Sequence, residues 1–185
     1  MYEKNVGNST NILSIAQIAV MSAIICVATF TIKIPTYTGY VHIGDSMVLL
    51  SVVLLGRKKS IVASAIGMGL TDILSGYIAW APFTIIIKAI MAYIAGKIIY
   101  RKNINENRIR VKLIGFILAG IWMVIGYYFA GIIISKFILF ENVTLNQAFL
   151  ISLKEIPSNM VQAIVGIAIA IPVSELLKKS KLIKA

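Results

Sequence analysis

The sequence predicts an all-α integral membrane protein with six transmembrane helices and both termini in the cytoplasm. Of its 185 residues, 59% are hydrophobic and the mean hydropathy is +0.90, values that exclude an ordinary soluble domain. Fourteen of the eighteen Lys and Arg residues lie in four short segments that alternate with apolar stretches. Because cytoplasmic loops carry excess Lys and Arg, all four segments are predicted to lie inside, with an even number of spans between the termini. The segments contain Lys4; Arg57, Lys58 and Lys59; Lys97, Arg101, Lys102, Arg108, Arg110 and Lys112; and Lys178, Lys179, Lys181 and Lys184.

A helix needs about 20 apolar residues to cross the hydrocarbon core, which sets the expected span lengths. Pro35 and Gly39 separate the first two predicted helices, and Pro82 opens the fourth. No linker divides the chain, so residues 1–185 are predicted to form one membrane domain in the plasma membrane. The predicted helices cover residues 11–32, 41–56, 60–77, 82–100, 111–137 and 150–177, and the outer loops cover residues 33–40, 78–81 and 138–149.

The net charge of +11 is explained by the basic loops, so we expect contact with membrane lipid and no binding of nucleic acid. Cys26 is the only cysteine, which excludes an intrachain disulfide. His42 is the only histidine and has no second His or Cys nearby, so we expect a loop or rim residue and no metal site.

Polar side chains collect in the predicted outer half of the membrane. Asp72 and Lys88 lie at similar depth on two helices, while Glu155, Asn159 and Gln162 follow the i, i+4, i+7 spacing of one helical face. A charge at mid-membrane costs about 2.5–3.5 kcal/mol on insertion scales, so such a group indicates either mutual pairing or a polar cavity.

Two interpretations of these polar groups stay open. In one, internal pairs such as Asp72 with Lys88 hold the bundle together. In the other, which we favour, the groups line a solute site that opens to the outside. Asp45 either joins this set or caps the second helix.

Aromatic residues also cluster at the predicted outer ends, at Tyr37, Tyr40, Tyr77 and Trp80. An interfacial aromatic belt explains them from position alone. Stacking of Tyr40, Tyr77, Trp80 and Phe83 on a flat ligand is the alternative.

Catalytic motifs are missing from the sequence. It contains no phosphate-binding loop, no His-Glu-x-x-His and no Gly-x-Ser-x-Gly. We therefore expect neither an enzyme nor a cofactor, and the small size suggests one part of a larger assembly. The alternatives are a self-contained ion-coupled transporter or channel using Asp72, Lys88 and Glu155, and an intramembrane enzyme, which lacks a visible nucleophile.

Ala16, Ala19 and Ala23 lie at i, i+3 and i+7 on the first helix. Small residues let helices approach closely in lipid, so this stripe indicates a packing face.

Several motifs together resemble the S components of energy-coupling factor (ECF) vitamin transporters, in the branch that carries riboflavin, pyridoxine or the hydroxymethylpyrimidine precursor of thiamine. The resemblance covers nearly the whole chain. The motifs are Gly44-Asp45, Leu54-Leu55-Gly56-Arg57-Lys58, Gly67-x-Gly69-x-x-Asp72-Ile73-Leu74-x-Gly76, Pro82-x-Thr84-x-x-x-Lys88 and Glu155-x-Pro157-x-Asn159-x-x-Gln162 with Gly166 behind it.

The resemblance implies a six-helix bundle that binds a vitamin at its outer side, under a lid formed by residues 33–42. It also implies docking through an Ala-x-x-x-Ala face, here Ala19 and Ala23, on a membrane scaffold subunit joined to two cytoplasmic ATPases. The start Met1-Tyr2 lacks the Met-His of nickel and cobalt S components, which disfavours a metal substrate. The implied substrate-binding residues are Lys88, Glu155, Asn159, Gln162, Asp72, Tyr40 and Trp80, and the implied docking residues are Ala16, Ala19 and Ala23. Which vitamin binds, whether the coupling module is shared, and whether Asp72 and Lys88 contact the ligand or only each other stay open.

Overall fold

The computed structural model describes residues 2–101, 109–140 and 142–180. The side chain of Lys4 and the whole of Lys102, Arg108, Lys181 and Lys184, all part of the predicted basic segments, lie outside the described residues. Six α-helices and a two-stranded hairpin make up the fold. The elements are α1 (Tyr2–Thr31), β1 (Lys33–Pro35), β2 (Tyr40–His42), α2 (Gly44–Leu74), α3 (Ala81–Ile99), α4 (Ile109–Ile134), a π-helical turn (Ser135–Leu139), α5 (Leu145–Lys154) and α6 (Ile156–Lys179).

Four segments of the described chain are long and apolar enough to cross a membrane. They confirm a helical membrane protein, while six spans and cytoplasmic termini stay predictions. The four segments are Asn11–Thr31, Ala81–Ile99, Ile109–Leu139 and Leu145–Lys179.

The second and third predicted helices together correspond to α2, which reverses direction at Gly56, although residues 41–43 and 75–77 of the predicted helices lie outside it. Gly56 has φ 75° and ψ 172°, a conformation essentially restricted to glycine. Ser51 Oγ and Ser64 Oγ lie 3.4 Å apart across this break, although thirteen residues of straight helix would separate them by about 20 Å. The two halves of α2, residues 44–55 and 57–74, therefore pack side by side.

The predicted first outer loop contains a short antiparallel hairpin. Its register pairs Lys33 with His42 and Pro35 with Tyr40. Thr36 N donates to Gly39 O at 2.9 Å, which closes the turn between the strands. The hairpin therefore follows α1 directly and leads into α2.

The sixth predicted helix is divided at Glu155 into α5 and α6. Thr144 and Gln147 form a capping box at the start of α5, and Pro157 lies in the first turn of α6. Because proline has no N–H to donate, the first turn of a helix accommodates it without loss of a hydrogen bond. The break places Glu155 at a corner beside the hairpin.

The core forms around α2, which packs against α1, α3 and α6. Glycines bring the backbones together: a Cβ added at Gly67 would lie 2.7 Å from Ser22 O of α1, and one at Gly166 of α6 would lie 3.1 Å from Asp45 Cβ. The second contact holds α6 against the first turn of α2. The polar groups described next lie at this end of the bundle.

We predict that Gly56→Ala destabilises the protein by about 1–3 kcal/mol, because an L side chain is strained at this φ and ψ even though nothing lies within 4 Å of the new methyl group. Unfolding in detergent measures the change. Gly39→Ala is the matched control, since its nearest neighbouring atoms are 3.9 Å away and its φ lies outside the left-handed region. Equal stability of the two variants would contradict a strained reversal at Gly56.

Candidate functional site

A recess lies between the hairpin and the ends of α2, α3, α4, α5 and α6. Its cavity volume is about 40 Å³. That space holds a few water molecules, so a drug-sized ligand requires the hairpin to move. The lining residues are Thr36, Thr38, Gly39, Tyr40, His42, Asp72, Tyr77, Trp80, Thr84, Tyr127, Gly131, Ser152, Glu155, Asn159 and Gln162.

Side chains from the connection between α2 and α3 and from the corner between α5 and α6 bond to the backbone of the hairpin. Thr38 N donates to Glu155 Oε1 at 3.0 Å, and Trp80 Nε1 donates to Thr38 O at 2.9 Å. Tyr77 OH donates to Gly39 O at 3.4 Å. The hairpin is thus held over the recess by hydrogen bonds to groups that also line it.

Asp72 presents one satisfied and one unsatisfied oxygen to this region. Tyr40 OH donates to its Oδ1 at 2.6 Å, while Oδ2 is buried and has no hydrogen-bond partner among the described residues. Burial, followed by the charge of Asp72, raises the pKa of the Tyr40 hydroxyl, which therefore stays protonated and donates. A buried carboxylate oxygen without a partner is costly, so it is a candidate ligand contact.

A fully buried ion pair lies behind the recess. Lys88 Nζ donates to Asp45 Oδ1, and both side chains have no exposed surface. Gln162 donates through Nε2 to Asp45 Oδ2 at 2.9 Å and accepts through Oε1 from His42 N at 3.0 Å. This Asp45 network joins α2, α3, α6 and the second hairpin strand.

His42 contributes to the same corner as a neutral side chain. Its Nδ1 accepts from Gly44 N at 3.1 Å. Burial lowers the pKa of His42 to about 4, so the imidazole is uncharged near neutral pH. His42 lies in the connection between α1 and α2, where a loop or rim residue was expected, and its side chain is buried, at 7% exposed. Within the described ranges no three His, Cys, Asp or Glu side chains form a group that could hold a metal.

Two expectations about charged residues are corrected. The pair suggested between Asp72 and Lys88 is not formed, because Lys88 bonds to Asp45 instead. Asp45 does not cap α2: the capping position is Ile43, and the Asp45 side chain bonds to Lys88 and Gln162. The sequence could not decide whether Asp45 or Asp72 pairs with Lys88, since both carboxylates were expected near the depth of Lys88 in the membrane.

Aromatic rings form much of the wall of the recess. The ring centroids of Tyr40 and Tyr77 are 4.8 Å apart, and those of Trp80 and Tyr127 are 6.0 Å apart. Trp80 is 9% exposed and bonds to the hairpin, so an aromatic belt does not account for it. Tyr37, at 67% exposed, is compatible with one.

Six of the seven predicted substrate-binding residues line the recess together, namely Tyr40, Asp72, Trp80, Glu155, Asn159 and Gln162. Lys88 does not line it and is committed to Asp45, so a ligand contact by Lys88 stays a prediction. Phe83, expected as a stacking face, packs against the core.

Sequence reasoning missed Tyr127, Gly131 and Ser152, three further lining residues. Gly131 and Ser152 contact each other, and Ser152 Oγ is buried without a hydrogen-bond partner in the described chain. Tyr127 was detectable as a polar aromatic inside an otherwise apolar span. Gly131 and Ser152 carried no comparable signal, because small residues are frequent in membrane helices.

A second surface feature is an apolar groove between α1 and the second half of α2. It has a volume of about 640 Å³, and Ala19 and Ala23 lie in it. Ala16, one turn earlier on α1, is also exposed. The other lining residues are Ile15, Ile18, Ser22, Cys26, Val27, Val62, Ile66 and Leu70.

Comparison with known proteins gives a family match. A family model described as "ECF-type riboflavin transporter, S component" matches residues 9–179. A protein of Pyrococcus woesei described as uncharacterized is 40% identical over 96 residues, which cover 52% of this chain and 62% of that relative. The chain thus spans less than two thirds of that relative's length.

We predict that Lys88→Met destabilises the protein by about 3–5 kcal/mol, because it leaves the Asp45 carboxylate buried without its cation. The double variant Asp45→Asn with Lys88→Met should be more stable than Lys88→Met alone, since it removes the unpaired charge. Unfolding in detergent measures four proteins: the unaltered protein, Lys88→Met, Asp45→Asn and the double variant. Additive losses in the double variant would contradict a coupled pair.

Proposed function

The chain belongs to the family of S components of ECF-type riboflavin transporters, and from this premise we propose that its recess is a vitamin site covered by the hairpin. The family is one of transport subunits, a class without enzymatic activity. The substrate is riboflavin, pyridoxine or hydroxymethylpyrimidine, bound from outside the cell. The supporting observation is the recess itself, in which aromatic rings and hydrogen-bonding groups converge under a hairpin that the same groups hold.

The lining residues supply two kinds of ligand contact, ring stacking and hydrogen bonds. Tyr40, Tyr77, Trp80 and Tyr127 supply flat faces for a heteroaromatic ring. Asp72, Glu155 and Asn159 supply acceptors and donors for its edge. Because Glu155 and Trp80 bond to the hairpin when it is closed, opening the hairpin releases these groups for the ligand.

Docking on the ECF scaffold and its two ATPases is proposed for the groove on α1. Ala16, Ala19 and Ala23 are exposed, and the groove around the last two is almost wholly apolar. Small side chains allow another helix to approach closely without desolvation of polar groups. A helix of the scaffold subunit is the occupant that fits such a surface.

We expect the protein, purified gently in detergent, to carry one of the three vitamins, identified by mass spectrometry after extraction. Asn159→Ala and Glu155→Ala should each weaken its binding about tenfold or more, on the scale of roughly 1–3 kcal/mol for a lost buried hydrogen bond. Asn159→Ala is the cleaner test, because in the described structure its side chain makes none of the bonds that hold the hairpin.

The matched control is Asn146→Ala, which removes the same amide from an exposed position on α5. It should bind with the affinity of the unaltered protein. Unchanged affinity of the Asn159 and Glu155 variants would remove both residues from the site, and a protein that neither carries nor binds any of the three vitamins would refute the vitamin site.

We predict that Ala19→Trp abolishes vitamin uptake by cells that contain the ECF scaffold and ATPases, because the indole fills the groove. Vitamin binding by the purified variant should be unchanged, since the groove is separate from the recess. Val20→Trp places the same ring on an exposed α1 residue outside the groove and should preserve uptake. Normal uptake by Ala19→Trp would exclude this groove as the docking surface.

A further inference from the structure

We propose that the recess selects a heteroaromatic ligand with a net positive charge, supplied by a protonated ring nitrogen or an ammonium substituent, and rejects its phosphate esters. This inference rests on the proposed vitamin site and specifies the charge class of its substrate. Four observations carry it: two lining carboxylates, an unpartnered carboxylate oxygen, the placement of the nearby ammonium groups, and the ring-lined wall.

Two carboxylates line the recess, those of Asp72 and Glu155, and no Lys or Arg does so within the described ranges. The third carboxylate at this end, Asp45, is already neutralised by Lys88. As far as the chain is described, the lining therefore has two carboxyl groups and no side chain of opposite charge, so a bound cation would stabilise their ionised forms at short range.

Asp72 is the group that most requires such a partner. Its side chain is 4% exposed, Oδ1 accepts from Tyr40, and Oδ2 has no partner in the described structure. A charge-assisted hydrogen bond from a ligand N–H would satisfy Oδ2 and is about twice as strong as a bond between neutral groups. A neutral acceptor on the ligand would leave Oδ2 unsatisfied.

Within the described ranges two ammonium groups lie near the recess, and each already has partners in the protein. Lys88 is bound to Asp45. Lys33 lies over aromatic rings, with its Nζ 4.7 Å from the centroid of Tyr40 and 5.8 Å from that of Tyr77. Because Lys33 belongs to the hairpin, it moves with the lid, whereas Asp72 and Glu155 stay with the helices.

The aromatic wall favours the same class of ligand. Tyr40, Tyr77, Trp80 and Tyr127 present electron-rich faces, which attract a cation within about 6 Å of the ring centroid. Lys33 Nζ already lies in this range of Tyr40 and Tyr77, and Lys88 Nζ lies 5.0 Å from the centroid of Tyr127, so within the described chain Trp80 is the lining ring without an ammonium over its face. A ligand cation would therefore contact the face of Trp80. A phosphate ester would instead bring one or two negative charges beside Asp72 and Glu155 in a poorly hydrated space. Like charges placed together without pairing oppose binding.

Matched ligands test the charge class. Pyridoxamine and pyridoxine share one ring and differ by an ammonium in place of a hydroxyl group. 4-Amino-5-hydroxymethyl-2-methylpyrimidine and its 4-hydroxy analogue form the second pair, and riboflavin is the neutral tricyclic probe. Calorimetry on ligand-free protein in detergent should show at least one amine binding about tenfold or more tightly than its hydroxyl partner and than riboflavin, with its phosphate ester about a hundredfold weaker.

Asp72→Asn should remove most of this preference for the amine while leaving the affinity for the hydroxyl partner nearly unchanged, since Asn keeps an acceptor for Tyr40. Glu155→Gln should weaken the preference as well. Glu175→Gln is the control: this carboxylate is on the same helix as Gln162, pairs with Lys112 and does not line the recess. It should preserve the preference.

The outcomes separate the two proposals. Tighter binding of riboflavin or of a hydroxyl partner overturns the charge class and leaves the vitamin site standing. Phosphate esters that bind as tightly as the free amines would also overturn the charge class alone. So would a preference for the amine that is unchanged in Asp72→Asn. Failure of all five free ligands to bind the unaltered protein overturns the vitamin site and this inference with it.

Discussion

The carboxylate of Asp45 is the point at which the bundle and the hairpin meet. One oxygen binds Lys88 of α3, the other binds Gln162 of α6, and Gln162 in turn accepts from the backbone of the hairpin at His42. Replacement of a buried ion pair by apolar side chains often leaves the free energy of unfolding unchanged. The contribution of the pair is therefore to favour one packing of α2, α3 and α6 over others. In lipid that preference is strong, since an unpaired charge at this depth is costly.

The Asp45 network also explains why the recess can carry unsatisfied groups. Gln162 bonds through both ends of its amide and Lys88 is paired with Asp45, so Gln162 does not donate to Asp72 and Lys88 does not form an ion pair with it. A rigid polar layer behind the recess thus keeps the Asp72 oxygen directed away from internal partners. The bonds at the tip of the hairpin, made by the backbone of Thr38 and Gly39, are separate from this network, whereas His42 joins the end of the second strand to it.

The sequence predicted the class of fold and most of the recess, because both depend on patterns along the chain. Alternation of basic and apolar segments indicated the membrane helices, and the i, i+4, i+7 spacing brought Glu155, Asn159 and Gln162 to one face. The partner of Lys88 was not predictable in this way, since Asp45 and Asp72 come from the two halves of α2 and only packing decides between them. The hairpin was missed because three-residue strands give too short a pattern to detect.

The groove and the recess are linked through two helices, α1 and the second half of α2. The groove lies along α1 and the second half of α2, while the hairpin begins two residues after α1 ends at Thr31. α2 also carries Asp72. The two helices that form the groove are therefore the helix that precedes the hairpin and the helix that carries one lining residue of the recess. Under the proposed function, a partner seated in the groove contacts the same two rigid elements that carry the lid and the Asp72 carboxylate. A shift of α1 against α2 at the groove would therefore be transmitted to the hairpin through unbroken helix, without any polar group crossing the apolar part of the bundle.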